Sequence, residues 1–355
     1  MVIRVHVHGG NVYRASRQHG RSPDEFIDFS ANINPLGPSP RAVEAIKNHL
    51  HLIRHYPDPD CIELIQELAR YLRVEPDNIV VGNGAAELIP LVTEQVAPRR
   101  GLVFSPTFVE YAVALERVGA EVIRVPYDSA HRHEVDADVL FLCHPNNPTG
   151  QLMKKTEIQD LVRRACSAGT VCVIDEAFID FIDEPEAYSL RFDAVKRSDL
   201  VVLGSLTKFF AIPGLRVGYV VAAPDLVEKL RRIKPPWSVN CLAQVAAVAS
   251  LQDRQYIADT RTYVAEARQA LVAGLNELAE RHGFQVWPAS ANFVFISLAR
   301  TGPTAAELAR RLAASGILVR DCSSFPLLDR YSLRVAVRKT EENERLLSEL
   351  DRALN

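Results

Sequence analysis

Largely apolar strand candidates punctuate the chain at Asn78–Val81, Gly101–Phe104, Glu121–Val125, Val139–Cys143, Val171–Ile174, Leu200–Leu203 and Val217–Val221. Runs that do not alternate with polar residues predict strands buried on both faces. Between many of them the apolar positions fall at helical spacing, at Arg41–Leu52, Cys61–Leu72, Val109–Val118 and Lys155–Ser167. A further helix opens after the turn Gly82–Glu87 and runs to Val96. Strands alternating with helices predict an α/β layer with a mostly parallel sheet covered on both sides.

The pattern changes after Pro235–Pro236. Long helical stretches span Val239–Leu251 and Asp253–His282, and Gly283 stops the second. A smaller α/β region follows, with strands at Phe293–Ile296, Ile317–Arg320 and Ser332–Val337 and helices at Thr304–Ala314 and Glu341–Leu354. Residues 1–39 read as an irregular, extended arm with bends at His8–Asn11 and Asp28–Pro38. The expected division is an arm (1–39) packing with the small domain, a large domain (40–236), and an interdomain helix with a small domain (237–355). The arm either straps the body or reaches a substrate; its Asn and His side chains fit both.

The chain has 355 residues, enough for two domains sharing a cleft. Its 41 Lys and Arg against 44 Asp and Glu leave a net charge of −3, with no basic block suited to nucleic acid. No apolar stretch is of membrane-spanning length, and Met1–Gly10 lacks the apolar core of a secretion signal. The six cysteines lie in apolar patterns without C-x-x-C spacing, which fits reduced thiols in a cytoplasmic enzyme better than disulfides or zinc. His6 and His8 alone make a poor metal site.

The chemistry gathers after the predicted strands, where open α/β sheets bind their ligands. Gly204–Gly218 reads G-S-L-T-K-F-F-A-I-P-G-L-R-V-G. Lys208 there is placed to form a Schiff base with an aldehyde cofactor, while Ser205, Thr207 and Arg216 are suited to a phosphate dianion. The turn G-N-G-A-A-E (Gly82–Glu87) points backbone N–H groups at an anion, although glycine also simply makes tight turns. Asp175 ends V-C-V-I-D, where it either pairs with a protonated pyridine nitrogen or caps the next turn. Asn147 in N-N-P-T-G, Phe108 in P-T-F-V-E-Y and Tyr56 before Pro57 offer an amide, a stacking ring and a hydroxyl, each with an ordinary loop or core alternative. Arg334 in S-L-R-V-A-V is either a solvated strand residue or a carboxylate clamp.

These motifs follow one another in a single order, and P-G-L-R-V-G-Y, ending at Tyr219, is more specific than a generic glycine pattern. Over essentially its whole length the chain resembles the fold-type I pyridoxal-phosphate (PLP) enzymes of the aspartate aminotransferase superfamily. The resemblance implies a homodimer that binds PLP. It assigns Lys208 to the Schiff base and Asp175 to the pyridinium. It gives the cofactor phosphate to Gly84, Ala85, Ser205, Thr207, Arg216 and a partner subunit's Tyr56. Asn147 and Phe108 then contact the cofactor. His8 and Asn32 meet a substrate phosphate and Arg334 a carboxylate. Arg320 and Arg338 receive no role.

Two groups in the superfamily share these motifs, the threonine-phosphate decarboxylases and the histidinol-phosphate aminotransferases. H-G-G-N at His8–Asn11 and D-F-S-A-N-I-N-P-L-G-P at Asp28–Pro38 resemble the decarboxylases. D-E-A-F at Asp175–Phe178 agrees, because the aminotransferase pattern carries a tyrosine where Phe178 stands. Decarboxylation of L-threonine O-3-phosphate is therefore expected, with transamination as the alternative. A third reading, a PLP-binding regulator without catalysis, is opposed by the retained Lys208 and Asp175.

Overall fold

The computed structural model describes residues 8–355; His6 and Val7, half of the weak metal pattern, lie outside them. A first short strand, β1 (Ile27–Asp28), belongs to the arm. The next seven are β2 (Ile79–Gly82), β3 (Arg100–Ser105), β4 (Glu121–Pro126), β5 (Val139–Cys143), β6 (Val171–Asp175), β7 (Leu200–Ser205) and β8 (Gly218–Val221). They form one sheet in the order β2-β8-β7-β6-β5-β3-β4. Neighbours are parallel except around β8, which runs antiparallel to both β2 and β7.

Every residue of β5 and β7 is buried, as their unbroken apolar runs require. Alternate side chains serve opposite faces. Leu140, Leu142, Ile174 and Val202 join one core cluster, while Phe141, Val173, Val201 and Leu203 join the other.

The remaining strands are β9 (Gln285–Val286), β10 (Phe293–Ser297), β11 (Ile317–Leu318), β12 (Arg320–Asp321) and β13 (Ser332–Ala336). An antiparallel sheet runs β12-β13-β10-β9, over a third core cluster. The helix Arg254–His282 joins the regions: Tyr256, Ile257 and Val264 pack in the first cluster, and Leu271, Leu275 and Leu278 in the third. Asp253 caps its start and Gly283, at φ 72°, ends it. Among the described residues no helix is long and apolar enough to cross a membrane.

Several expectations need correction. The arm is not irregular throughout, because Val12–His19 is a helix. Asn11 caps it by accepting from the Arg14 N–H, and Gly20 closes it at φ 65°. Its polar composition masked it. The helix expected at Arg41–Leu52 stops at Asn48, and Leu50–Arg54 continues as a 3₁₀ turn. The strand expected at Ile317–Arg320 divides, with Ile317–Leu318 pairing parallel to β1 and Arg320–Asp321 pairing with β13. The helix Pro224–Ile233 went unread.

The described part of the arm is held at two points, Phe29 and Asn34. Phe29 is wholly buried in the third cluster, and its backbone bonds to Leu318 and Ala336. Asn34 reaches the large sheet, its backbone N–H donating to the Lys208 carbonyl at 3.1 Å. Its Nδ2 donates to the Phe209 carbonyl at 2.8 Å and lies 2.8 Å from the Tyr256 hydroxyl and 3.0 Å from that of Thr260. Replacement of Asn34 by Ala leaves these buried groups unpaired, and we expect a loss of about 3 kcal/mol in urea unfolding of the apo-protein. Asn34→Asp should not restore it, because a carboxylate cannot donate to the Phe209 carbonyl.

Candidate active site

The ends of β5, β6 and β7, the helix start after β2, the arm and β12–β13 enclose a cavity of about 320 Å³. Lys208 enters it from the short helical turn Leu206–Phe209, which Ser205 caps by accepting the Thr207 N–H at 3.3 Å. Burial first, then the Arg216 and Arg334 guanidiniums, lower the Lys208 ammonium to about 8. The amine is therefore available far below the pH at which an exposed lysine gives up its proton.

Asp175 closes the cavity floor at the end of β6. Burial pushes its carboxyl up, and the Tyr111 hydroxyl, the Ala177 N–H and the charge of Lys208 oppose that shift. Tyr111 donates to Oδ2 at 2.6 Å and Ala177 N to Oδ1 at 2.9 Å. The Tyr111 ring is wholly buried and stacks on Phe141, with centroids 5.2 Å apart. Next to Asp175, Glu176 is locked by Ser189 Oγ at 2.6 Å and Leu190 N at 2.7 Å, which fixes the chain leaving β6.

The Ser205 and Thr207 hydroxyls stand 2.8 Å apart. Arg216 sits at φ 59°, a left-handed conformation uncommon outside glycine, and its guanidinium tucks under Gly84. A Cβ on Gly84 would stand 2.7 Å from Arg216 Nη2 and displace the guanidinium, and Gly84 itself sits at φ 76°, where other residues are strained. Ala85 then opens the helix Ala85–Val96 with its free N–H groups towards this corner.

On the opposite wall Arg334 is buried and held at about 10, below the ordinary guanidinium range, chiefly by burial. It donates to Asn147 Oδ1 and, at 2.6 Å, to the Ser30 carbonyl of the arm. Its guanidinium lies over Phe293, whose ring meets Phe178 edge-on at 5.1 Å. Asn147 thus spends its carbonyl on Arg334, which leaves its amide N–H group as the donor it can offer. Asn32 is buried in the cavity wall, and its Oδ1 has no partner. His8 sits at the mouth, 3.0 Å from Glu110 and beside Phe108, with 6.0 Å between ring centroids.

Of the residues expected in the site, the structure brings His8, Asn32, Ala85, Phe108, Asn147, Asp175, Ser205, Thr207, Lys208, Arg216 and Arg334 to the cavity wall. Gly84 stands behind Arg216 rather than on the wall. Tyr56 is not brought in; it is 79% exposed and stacks on Trp237 at 4.7 Å. Sequence reasoning missed Tyr111, Arg320 and Phe325. Tyr111 lies three positions after Phe108, in the first turn of the helix Glu110–Arg117, and Arg320 lines the cavity. Arg320 donates to Ser324 Oγ at 3.2 Å and its guanidinium lies over Phe325.

Comparison with known proteins agrees with this geometry. Residues 24–350 match the family of class I and II aminotransferases. A threonine-phosphate decarboxylase from Salmonella typhimurium is 39% identical, covering 100% of this chain and 98% of that protein. A histidinol-phosphate aminotransferase from Methanothermobacter thermautotrophicus is 33% identical, covering 98% and 94%. The crystal structure of L-threonine-O-3-phosphate decarboxylase from Porphyromonas gingivalis superposes with a TM-score of 0.81 at 30% identity, over 91% of this chain and 98% of that one.

The chain belongs to the class I and II aminotransferase family. Its fold is that of the fold-type I PLP enzymes, and its cofactor is pyridoxal 5'-phosphate. The donor set suits that group: two hydroxyls, a guanidinium and a helix start for a phosphate, a buried carboxylate for a ring nitrogen, and an amine of lowered basicity.

Two measurements follow. Capture of PLP by the apo-protein should quicken as pH rises and level off above about 8, and Arg334→Gln should move the midpoint upward by removing a neighbouring positive charge. Tyr111→Phe keeps the stacked ring but removes one donor to a buried carboxylate. PLP affinity should fall roughly tenfold with the far-ultraviolet circular dichroism unchanged; unaltered affinity would count against a role for the hydroxyl.

Proposed function

We propose that the protein is a PLP-dependent decarboxylase of L-threonine O-3-phosphate, forming (R)-1-amino-2-propanol O-2-phosphate for the cobalamin side chain. The observation that carries this reading is the pair of guanidiniums, Arg334 and Arg320, on the wall facing Lys208, with the His8 imidazole at the mouth. The cavity is small, and the proposed substrate brings two anionic groups, a carboxylate and a phosphate, to one short carbon chain. The identity to the Salmonella decarboxylase supports the same choice.

Arg334 holds the carboxylate through its planar fork. His8, Asn32 and Arg320 hold the substrate phosphate. Ser205, Thr207, Arg216 and the backbone at Gly84–Ala85 would hold the cofactor phosphate. Phe108 would supply a ring face to the cofactor, Asn147 an amide donor for its phenolic oxygen, and Asp175 a carboxylate for its ring nitrogen. When bound, the cofactor supplies the sink for the electron pair released at Cα.

The bond from Cα to the carboxylate breaks, CO₂ leaves, and the pair left behind takes up a proton at Cα. Lys208 Nζ is the donor of that proton, and an ammonium lowered to about 8 exchanges protons readily near neutrality. Phe178 offers no hydroxyl beside the cofactor. Its wholly apolar contact with Phe293 fills that side of the site instead.

The partner is a second copy of the chain. Leu50, Ile53, Tyr56, Ile62 and Trp237 are exposed large apolar residues, and a partner subunit covering them would take Tyr56 to the neighbouring cofactor phosphate.

The alternative is transamination of a phosphorylated amino alcohol, which the 33% identity to the Methanothermobacter enzyme favours. The PLP-loaded protein should release CO₂ and aminopropanol phosphate from L-threonine phosphate with no 2-oxo acid present, and Lys208→Ala should abolish this. Absence of CO₂, with histidinol phosphate converting 2-oxoglutarate to glutamate, would overturn the decarboxylase reading.

A further inference from the structure

Two thiols meet at the end of β6 remote from Asp175. Cys166 lies in the last turn of the helix Lys155–Ser167, and Cys172 is the second residue of β6. The turn between them, Ala168–Thr170, reverses the chain through Gly169 at φ 84°. Their Sγ atoms are 3.7 Å apart, the one thiol–thiol contact among the described residues.

The two differ in what a reagent meets. Cys172 is wholly buried, whereas Cys166 is half-buried and reachable. The Asp199 carbonyl accepts from Cys166 Sγ at 3.7 Å and from the Cys172 backbone N–H at 2.8 Å. Arg197, held to Asp199 at 2.9 and 3.0 Å, brings a guanidinium beside Cys166. The contact with Cys172 draws the Cys166 thiol below its ordinary value, against burial and Asp199, and the Arg197 charge adds to the lowering. Burial drives Cys61 to about 11 and Cys143 and Cys322 to about 12. A partly exposed thiol beside a guanidinium is the more reactive kind.

We propose that Cys166 and Cys172 are a hydroperoxide-reactive pair that closes to an intramolecular disulfide. The Cys166 thiolate attacks one peroxide oxygen and the O–O bond breaks, giving a sulfenic acid and, after protonation of the leaving oxygen, water. The Cys172 sulfur then attacks the Cys166 sulfur, forming the S–S bond and expelling a second water. Two thiols and one hydrogen peroxide become one disulfide and two waters. The sulfurs must approach from 3.7 Å to about 2.0 Å, within reach of side-chain rotation at the end of a helix. Because the crosslink forms at the far end of β6, the oxidised protein keeps its cofactor site. The inference stands independently of the reaction proposed above.

The test uses the PLP-loaded protein treated with hydrogen peroxide, alkylated without reduction, and digested with trypsin. No Lys or Arg lies between the two cysteines, so both fall in one peptide. Wild type should yield that peptide lighter by two hydrogens and unalkylated, becoming alkylatable after dithiothreitol. The Cys166 thiol should be lost roughly tenfold faster than that of Cys241, which is also half-buried. Cys172→Ser should stop at a sulfenic acid on Cys166 that dimedone captures, and Cys166→Ser should leave Cys172 reduced. The proposal is overturned if both thiols remain alkylatable when Cys241 is oxidised, if Cys166 passes to sulfinic acid with Cys172 intact, or if the Cys172→Ser protein gives no dimedone adduct.

Discussion

A carboxylate buried beneath a sheet end is costly unless its charge is met, and the site is arranged around meeting it. Asp175 ends β6 at the centre of the large sheet, with parallel strands on either side. Tyr111 and the Ala177 N–H address its two oxygens separately. The two donors come from different places, a helix beyond β3 and the turn directly after β6. The carboxylate therefore has a fixed orientation before any ligand arrives, and the lysine stands on the neighbouring strand end.

The second requirement is to bring parts of the chain remote in sequence against that centre. Asn34 does this with one side chain, touching the lysine turn through Phe209 and the long helix through Tyr256 and Thr260. Arg334 does it from the small sheet, joining Asn147 after β5 to Ser30 in the arm. Arm, large sheet and small sheet thus share the cavity wall through a few buried polar contacts. Such contacts are strong because the surroundings are dry.

Much of this was legible in the chain itself. The unbroken apolar runs of β5, β6 and β7 announced strands covered on both faces, and the motifs after them carried Lys208, Asp175 and Asn147. Local pattern could not show the reversal of β8, because an antiparallel strand covered on both faces reads like its parallel neighbours. Nor could it show that β11 and β12 part company, since β11 joins residues 290 positions away and β12 residues 12 to 14 positions away. The helix Val12–His19 escaped because polar residues outnumber apolar ones there, although its caps were visible. Tyr111 was overlooked for a different reason: an aromatic in an apolar helix reads as core packing, and here the ring is core while the hydroxyl is not.

Gly9 shows how an absent atom can shape a site. A Cβ there would fall 2.2 Å from the Ser30 carbonyl oxygen, the same oxygen that accepts from Arg334. Gly10 N donates to Ser30 Oγ at 2.8 Å, so Gly9 and Gly10 lie directly along this residue. His8 thus owes its place to this close spacing as well as to its contacts with Glu110 and Phe108. Bulk added at residue 9 would act as a lever with two ends, lifting the imidazole from the mouth and disturbing the carbonyl that orients the guanidinium within. The mouth and the inner wall of the cavity are in this sense geared together through one glycine.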